Sequence, residues 1–353
     1  MSTIVVLEGD GIGPEIVSAT RRVVDALGVG IAWDVRPAGE AGYRPVPGEA
    51  AETAFGTPMP KETIAAIREC GVALKGPLTT GVAKGYRSLN VLLRQELGLY
   101  ANVRPARTLA GVAGPLKGDP AVDLVIVREN TEDLYIGRER VEGDTAIAEK
   151  VITKQASRRA AIFAFELAKQ HGYPRVTTVH KANILKETDG LFLNESQRVA
   201  ERYPDIAHDD MIADNVMQQL VRDPASFSVL LCPNFLGDLL SDLTATLTWN
   251  GIGLGPSGQY GKDVAVFEAI HGTAPTIAGK NLANPTALML SAVMLLEHIG
   301  ETDARPDEPF GRAAARMRRA IERVYAETDI RTSDLGGSAT TTEFTDAVVA
   351  HLT

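Results

Sequence analysis

The sequence predicts an α/β protein with a largely parallel sheet. Short apolar runs of strand length alternate along the chain with longer segments of amphipathic helical periodicity, and this alternation is typical of strands joined by crossover helices. The chain has 353 residues, which corresponds to about two domains at roughly 100–200 residues each. Because neither a linker of biased composition nor an internal repeat divides the chain, we expect the two domains to be interleaved in sequence.

The first half begins with a strand and a glycine-rich turn. From the N-terminus, the pattern predicts a strand at residues 3–7, a helix opened by Pro14, a helix at 61–69, a strand at 72–74, a helix at 88–97 and a strand at 122–127. Proline fits the first helical turn because its missing N–H is not needed there. Ser88 is the expected N-cap of its helix.

The second half continues the alternation. Its strongest helical pattern covers residues 157–171 and ends at Gly172, a typical helix terminator. Further strands are predicted at 176–180, 228–232 and 264–268, and further helices at 191–202, 236–248, 287–299, 312–326 and 341–352. Residues 132–151 are more polar and strand-like, so we expect an excursion that is used for subunit contact.

The composition excludes several classes of protein. Acidic residues outnumber basic ones, 45 to 36, for a net charge of −9 at pH 7, so nucleic acid is not an expected partner. No apolar run approaches the roughly 20 residues of a membrane span, and the first residues lack the positive start of a signal peptide. Cys70 and Cys232 each lie in an apolar stretch, which indicates two buried, reduced thiols. We therefore expect a soluble, cytoplasmic protein.

Common nucleotide-binding and hydrolase motifs are not matched. The spacing G-x-G-x-x-G occurs at Gly253, Gly255 and Gly258, but no helix follows, so we expect a glycine loop rather than a dinucleotide fingerprint. The glycine-rich residues 76–81 lack the Lys-Ser or Lys-Thr of a P-loop. The sequence also lacks a G-x-S-x-G nucleophile elbow and an H-E-x-x-H zinc motif.

A cluster of arginines indicates a site for a small polycarboxylate. Its members are Arg87, Arg94, Arg104 and Arg107, together with Arg128 at the end of the next buried strand. A residue at such a strand end points into the ligand crevice of an α/β sheet, and arginine pairs carboxylates through its fork of donors. Ser88 and Asn90 would add a hydroxyl and an amide. A solvated basic face is the alternative.

Two carboxylates and one lysine are candidates for metal and proton chemistry. Asp238 and Asp242 are four residues apart on one predicted helix face, where they repel unless a cation lies between them. Oxygen ligands favour Mg²⁺ or Mn²⁺, with Asp214 as a candidate third ligand. Lys181 follows a buried strand, where desolvation would lower its pKa and suit it as a base. Helix-dipole stabilisation, capping and a surface lysine are the ordinary alternatives.

A loop of small residues follows the predicted strand at 264–268 and begins at His271. Small residues let a cofactor approach the backbone closely, and the His271 ring can stack on a base or hydrogen-bond to it. A tight loop with an internally bonded histidine is the alternative.

Together these segments resemble the isocitrate/isopropylmalate dehydrogenase family of β-decarboxylating 2-hydroxyacid dehydrogenases, with NAD-type isocitrate dehydrogenases nearest. The matching segments are residues 75–80, 87–97, 100–105, 128–135, 180–183, 237–242 and 271–275. The match extends from residues 9–15 to residues 334–337 and so covers essentially the whole chain.

The resemblance implies a non-Rossmann, two-domain α/β fold, which explains the failed fingerprint. A large discontinuous domain of residues 1–99 and 249–353 would carry the cofactor loop. A small domain of residues 100–248 would carry the dimer interface and a dimer clasp at about 132–151. The active sites of the homodimer would be shared, with Lys181 and Asp214 contributed by the partner subunit.

The resemblance also assigns roles to residues. Substrate would be bound by Ser88, Asn90, Arg94, Arg104, Arg128 and Asn183, and Mg²⁺ or Mn²⁺ by Asp214, Asp238 and Asp242. Lys181 would be the base and Tyr135 the acid, with Asp214 also counted as catalytic. The cofactor would be bound by Thr80, Asn90, Glu268, His271, Gly272, Thr273, Ala274, Pro275, Thr276, Ile277 and Asn284.

The implied reaction is metal-dependent oxidative decarboxylation of isocitrate to 2-oxoglutarate with reduction of NAD. Ser88 and Asn90 favour isocitrate, since isopropylmalate enzymes present apolar residues there. Homoisocitrate, 3-isopropylmalate or another C3-substituted malate is the alternative substrate. Ile277 resembles the NAD type, but Thr276 stands where NAD-dependent members usually carry Asp, so NADP stays open.

Two other classes of function are also open. One is a cofactor-independent, metal-dependent lyase, and the other is a catalytically silent binding protein. A further departure from the family is Trp249-Asn250, where related enzymes usually have small residues.

Overall fold

The computed structural model describes residues 2–40, 58–79, 88–302 and 309–352. Twelve strands occur within these ranges: β1 (Ser2–Leu7), β2 (Ile31–Arg36), β3 (Val72–Lys75), β4 (Ala101–Arg107), β5 (Asp123–Glu129), β6 (Glu139–Glu142), β7 (Thr145–Ala148), β8 (Arg175–His180), β9 (Ala207–Ile212), β10 (Val229–Cys232), β11 (Pro256–Tyr260) and β12 (Ala265–Ala269). The same ranges contain ten α-helices: α1 (Gly13–Ala26), α2 (Lys61–Cys70), α3 (Leu89–Leu97), α4 (Lys154–His171), α5 (Thr188–Ala200), α6 (Ala213–Arg222), α7 (Asn234–Trp249), α8 (Thr286–Thr302), α9 (Phe310–Glu327) and α10 (Thr341–Ala350).

Ten of the strands form one mixed sheet in the order β2-β1-β3-β12-β11-β4-β5-β10-β8-β9. The outer pairs on both sides are parallel, whereas the three pairs from β12 through β11 and β4 to β5 are antiparallel. The predicted α/β class and largely parallel sheet are confirmed. The antiparallel centre is a feature that the hydrophobic pattern does not predict.

The sheet is buried on both faces. Successive residues of β1 alternate between two hydrophobic clusters, with Ile4 and Val6 in one and Val5 and Leu7 in the other. This alternation explains why the strand has a continuous apolar sequence. Helix α8 is buried all round from Thr286 to Leu296, as expected of a helix inside the core rather than on its surface.

Several elements were not predicted: β2, β4, β9, β11 and α6. Strand β11 contains Pro256 and Gly258, which are residue types depleted in strands. Pro256 is tolerated because it is the first residue of the strand. The expected glycine loop at 253–258 is therefore wrong for its last three residues, which lie in β11.

Helix ends follow the sequence signals. Gly172 follows α4 in the left-handed region with φ 72°, where glycine avoids the strain of a side chain. Ser88 does precede α3 at the N-cap position, but its side chain makes no capping hydrogen bond to the helix.

The Trp249-Asn250 pair ends α7. The Trp249 indole is buried and donates to the Arg107 carbonyl at 2.8 Å, while Asn250 adopts the left-handed conformation with φ 59°. Asparagine reaches this conformation more readily than most residues. The pair therefore fixes the end of α7 against β4.

The polar excursion at 132–151 contains a two-stranded antiparallel hairpin of β6 and β7. The hairpin is largely exposed, and its Val141 side chain is 75 % exposed. The strand-like character is confirmed, and the role in subunit contact stays a prediction.

The cysteines are both free. Cys232 is buried, as expected, whereas Cys70 at the end of α2 is only half-buried. None of the helices in the described ranges is long and apolar enough to cross a membrane.

Candidate active site

A cavity of about 560 Å³ collects most of the predicted site residues. Its walls come from β3 and the residues that follow it, from α3, β4, β5 and α7, and from the loop after β12. The predicted residues that line it are Ser88, Asn90, Arg94, Arg104, Arg128, Tyr135, Asp238, Glu268, His271, Gly272 and Thr273.

Three buried guanidinium groups reach this cavity. Arg94 bonds to Gln259 Oε1 at 2.9 Å, Arg104 to Ser241 Oγ at 2.6 Å and Arg128 to Asn234 Oδ1 at 2.8 Å. Arg128 is fully buried, and its Nη2 has no hydrogen-bond partner among the described residues. A buried cation with an unpaired donor on the cavity wall is suited to receive an anion.

The other arginines of the predicted cluster lie elsewhere. Arg107 is exposed and pairs with Asp123 at 3.6 Å, so its assignment to the cluster is wrong. It is three residues after Arg104 on β4, and side chains at an odd spacing point to opposite faces of a strand. Arg87 lies outside the described residues, as does the predicted cofactor residue Thr80.

Tyr135 and Arg128 both bind Asp238. The Tyr135 hydroxyl donates to Asp238 Oδ2, and Arg128 Nη1 pairs with Asp238 Oδ1. Burial raises the pKa of Tyr135. The charge of Arg128 opposes this effect, and the hydrogen bond to Asp238 reinforces it. Burial alone would raise the pKa of Asp238, but Arg128 and Arg104 outweigh it and hold that pKa below its ordinary value.

Asp242 lies one helical turn beyond Asp238 on α7. Its carboxylate is 3.9 Å from Arg104 Nη1 and is more exposed than that of Asp238. Burial raises the pKa of Asp242. The positive charge of Arg104 opposes this effect, and the negative charge of Asp238 adds to it. These two hard oxygen donors suit Mg²⁺ or Mn²⁺. The described part of one chain brings no third His, Cys, Asp or Glu to them.

Lys181 and Asp214 do not line the cavity. Lys181 follows β8, Asp214 lies in the first turn of α6, and the Lys181 ammonium pairs with the Asp214 carboxylate. This hydrogen bond lowers the pKa of Asp214. The Lys181 side chain is 34 % exposed, so the predicted desolvation of Lys181 is wrong for the isolated chain. Asn183 is exposed on the same loop.

The predicted cofactor loop packs on the N-terminal glycine-rich turn. Ile12 N donates to the Thr273 carbonyl at 2.9 Å, and a Cβ at Gly11 would lie 2.0 Å from that oxygen. Glycine is therefore required at position 11 by close approach of the two backbones. His271 Nε2 is buried without a partner among the described residues, and burial lowers the pKa of His271.

The remaining loop residues extend away from the cavity. Pro275 and Thr276 are exposed, Ala274 and Ile277 are half-buried, and Ala274 has a φ of 38°. Asn284 is buried and donates to Asp334 at 3.1 Å. Glu15 of α1 accepts from Asn281 N and Ala283 N at 3.1 and 2.9 Å, which fixes the backbone just before Asn284.

Sequence reasoning missed three buried polar residues around the cavity. Lys75 lines the wall and pairs with Glu268 at 2.5 Å, and Gln259 and Asn130 bond to one another at 2.8 Å behind it. A lysine at the end of an apolar strand is a usable signal for Lys75. Gln259 and Asn130 carry no such signal, because a single amide in a polar context is indistinguishable from a surface residue.

Comparison with known proteins agrees with this geometry. The family model for isocitrate/isopropylmalate dehydrogenase matches residues 3–348. The chain is 46 % identical over 352 residues to the Arabidopsis thaliana isocitrate dehydrogenase [NAD] catalytic subunit 5, mitochondrial, covering 99 % of this chain and 88 % of that protein. It is 43 % identical over 354 residues to the Homo sapiens isocitrate dehydrogenase [NAD] subunit alpha, mitochondrial, covering 99 % and 90 %.

A solved structure is equally similar. The isocitrate dehydrogenase from Methylococcus capsulatus superposes with a TM-score of 0.89 at 44 % identity, covering 100 % of this chain and 99 % of that chain.

Proposed function

This chain belongs to the isocitrate/isopropylmalate dehydrogenase family, and on that premise we propose that it catalyses the oxidative decarboxylation of isocitrate to 2-oxoglutarate with reduction of NAD. The observation that carries the proposal is the convergence of Arg94, Arg104 and Arg128 on one cavity beside Tyr135 and Asp238. Three buried cations match a substrate with three carboxylates. The relatives named as NAD isocitrate dehydrogenases support the same substrate.

The C3 substituent of the substrate would meet Ser88 and Asn90 on the cavity wall. Both residues line the cavity, and the Ser88 hydroxyl and the Asn90 Nδ2 are hydrogen-bond donors. Donors there favour a carboxylate-bearing substituent, because a carboxylate accepts hydrogen bonds and an isopropyl group does not. This supports isocitrate over an isopropyl-substituted malate.

A divalent cation fits the Asp238 and Asp242 carboxylates. Asp214 from a partner subunit would complete the set of protein ligands. When bound, Mg²⁺ or Mn²⁺ supplies polarisation of the C2 hydroxyl and stabilises the negative charge that develops as CO₂ leaves. Arg128 and Tyr135 hold Asp238 in one orientation, which keeps a carboxylate oxygen fixed at the edge of the cavity.

Lys181 and Tyr135 would move the protons. Lys181 of the partner subunit would take the proton from the C2 hydroxyl during oxidation at C2, for which a bound nicotinamide would supply the hydride acceptor. Tyr135 donates its proton to C3 once CO₂ has left. Its raised pKa keeps the phenol protonated until that step.

We infer that the active site is shared in a homodimer, because Lys181 and Asp214 pair with one another outside their own cavity and do not line it. Exposed apolar side chains lie near Lys181 and near Asp238. Ile184 and Leu185 follow Lys181 in sequence, and Phe235 and Leu239 flank Asp238 on α7. Large exposed apolar side chains next to catalytic groups are expected at a subunit interface. The named relatives are described as subunits, which supports an oligomer without specifying identical chains.

We propose that the loop from His271 to Ile277, with Gly272, Thr273, Ala274, Pro275 and Thr276, binds the cofactor together with Asn284, Glu268 and Asn90. NAD is favoured over NADP because the named relatives are described as NAD enzymes. Neither Thr276 nor Ile277 is itself a cation, and the nearby Lys280 ammonium donates to the Thr276 carbonyl at 2.8 Å. The test is the ratio of kcat/KM for NAD and NADP with isocitrate and Mn²⁺. A ratio above one supports the assignment, and a ratio below one contradicts it.

We propose that the two predicted domains meet at the centre of the sheet. One half of the sheet belongs to residues 1–99 and 249–353 and contains β2, β1, β3, β12 and β11. The other half belongs to residues 100–248 and contains β4, β5, β10, β8 and β9. The cavity takes Arg94 and Glu268 from the first group and Arg104, Arg128 and Asp238 from the second. This placement supports a large discontinuous domain and a small domain with the active site between them.

The cytoplasmic location stays a proposal. Two free cysteines suit a reducing compartment, whereas the named relatives are described as mitochondrial.

A further inference from the structure

A buried chain of polar side chains joins two walls of the cavity through Gln259. Gln259 lies on β11, is fully buried and does not itself line the cavity. Its Oε1 accepts from Arg94 Nε at 2.9 Å and from Asn130 Nδ2 at 2.8 Å. Its Nε2 donates to Glu268 Oε1, and the other oxygen of Glu268 is 2.5 Å from the Lys75 ammonium.

An amide suits the chemistry of this position. One end of the side chain must accept from a cation, and the other end must donate to a carboxylate. The Gln amide does both at a fixed orientation. A carboxylate at position 259 would satisfy Arg94 but would face Glu268. An apolar side chain would leave the buried groups of both Arg94 and Glu268 short of a partner.

The bond to Gln259 also sets how Arg94 meets a ligand. It uses Nε, so the two terminal nitrogens of the guanidinium remain for a carboxylate in the cavity. Burial, followed by the charge of Arg128, lowers the pKa of Arg94 to about 9, which leaves the group charged at neutral pH. Glu268 lines the same cavity on the side of the cofactor loop.

We propose that Gln259 is a positioning residue that aligns Arg94 for the substrate carboxylate and Glu268 for the cofactor. It contacts neither reactant and acts through these two side chains. This inference rests on the proposed function, since it takes Arg94 as a substrate ligand and Glu268 as a cofactor ligand. It also gives a role to β11, the strand that begins within the G-x-G-x-x-G segment at residues 253–258.

The test compares Gln259→Met and Gln259→Glu with the wild-type enzyme, using isocitrate, NAD and Mn²⁺. Gln259→Met removes all three hydrogen bonds, so KM for isocitrate and KM for NAD should each rise about tenfold or more. Gln259→Glu keeps the two acceptor bonds but sets like charges against each other at Glu268. In this variant KM for NAD should rise about tenfold, while KM for isocitrate stays within about threefold.

The unequal KM changes expected in Gln259→Glu distinguish positioning from a purely structural role. A purely structural role would raise KM for isocitrate and KM for NAD by similar factors. Gln197→Met, an exposed substitution on α5, is the control, and thermal melting checks folding of each variant. Wild-type turnover is measured first, and its absence contradicts the proposed function. With an active wild type, unchanged KM values in folded Gln259→Met overturn the role of Gln259. If Gln259→Met does not fold, equal KM changes for both substrates in Gln259→Glu overturn it.

Discussion

The Arg128 guanidinium lies over the Tyr135 ring, 4.8 Å from its centroid, and the two side chains bind opposite oxygens of the Asp238 carboxylate. This arrangement links an anion-binding group, a proton donor and a candidate metal ligand in one hydrogen-bonded unit. Moving any one of them changes the orientation of the others. The unit therefore places substrate, proton and metal chemistry at one end of the cavity.

Replacing Arg128 by Lys should lower kcat/KM for isocitrate by about 10²–10³-fold. A lysine retains one charge but cannot reach Asn234, Asp238 and a substrate carboxylate at the same time, because it lacks the planar fork of donors. The measurement is steady-state kinetics at saturating NAD. Arg107→Lys on the neighbouring strand β4 is the matched control, since Arg107 is exposed and outside the cavity. Equal effects of the two substitutions would contradict the role of Arg128.

Replacing Asp242 by Asn should leave the fold intact and lower kcat/KM by about 10²-fold or more. Among the described residues, the Asp242 carboxylate makes one ion pair, a 3.9 Å contact with Arg104. The carboxylate is therefore not needed for packing and is available to a cation. The apparent Mn²⁺ concentration for half-maximal rate should rise in parallel. Asp205→Asn, in an exposed turn before β9, should change neither value. An unchanged Mn²⁺ requirement in Asp242→Asn would remove Asp242 from the metal site.

Glu195 should contribute to stability in a pH-dependent way. Its buried carboxylate on α5 pairs with Arg158 of α4 at 2.8 Å and with Arg198 at 2.7 Å. Burial alone would raise the pKa of Glu195, but the two arginines outweigh it and lower that pKa below the ordinary value of 4.5. A lowered folded-state pKa means that this stability is present above pH 4.5 and is lost as the pH falls through the folded-state value.

Glu195→Gln should therefore lower the free energy of unfolding by about 1–2 kcal/mol at pH 7. The difference from wild type should shrink as the pH falls below 4.5. Urea unfolding at several pH values measures it, with exposed Glu201→Gln as the control. A difference that grows towards acid pH would contradict the sign of the pKa shift.

A shared active site predicts complementation between inactive variants. Lys181→Met and Tyr135→Phe should each lower kcat by about 10²-fold or more, because each removes a proton-transfer group. In a hybrid dimer one site would receive Lys181 from one chain and Tyr135 from the other. Co-expression should then restore activity to about half of the wild-type level per hybrid dimer. No recovery in an isolated hybrid would contradict the shared site.

Sequence patterns predict the helices and strands in which buried residues recur at a regular spacing. Apolar runs such as β10 and the amphipathic α4 are identifiable because burial imposes a period on the sequence. Strand β11 was missed because Pro256 and Gly258 disfavour strands, and only pairing with β12 and β4 holds it in the sheet. Such tertiary pairing leaves no trace in a short sequence window.

The same distinction applies to the site. Arg94, Arg104 and Arg128 were identifiable because their chemistry is specific and their segments resemble a known family. Arg107 was misplaced because the unpredicted strand β4 sends it to the opposite face from Arg104. Gln259 was missed because its role depends on contacts with residues far away in sequence, Arg94 and Glu268 among them.

The most direct test of the central claim is a substrate panel with the purified enzyme, NAD and Mn²⁺. The panel contains isocitrate, homoisocitrate and 3-isopropylmalate, and both NADH and the 2-oxo acid product are quantified. We expect equimolar NADH and 2-oxoglutarate from isocitrate, with kcat/KM at least about tenfold above that for either alternative. A higher kcat/KM for 3-isopropylmalate or homoisocitrate, or turnover of isocitrate without NADH, would contradict the proposed function.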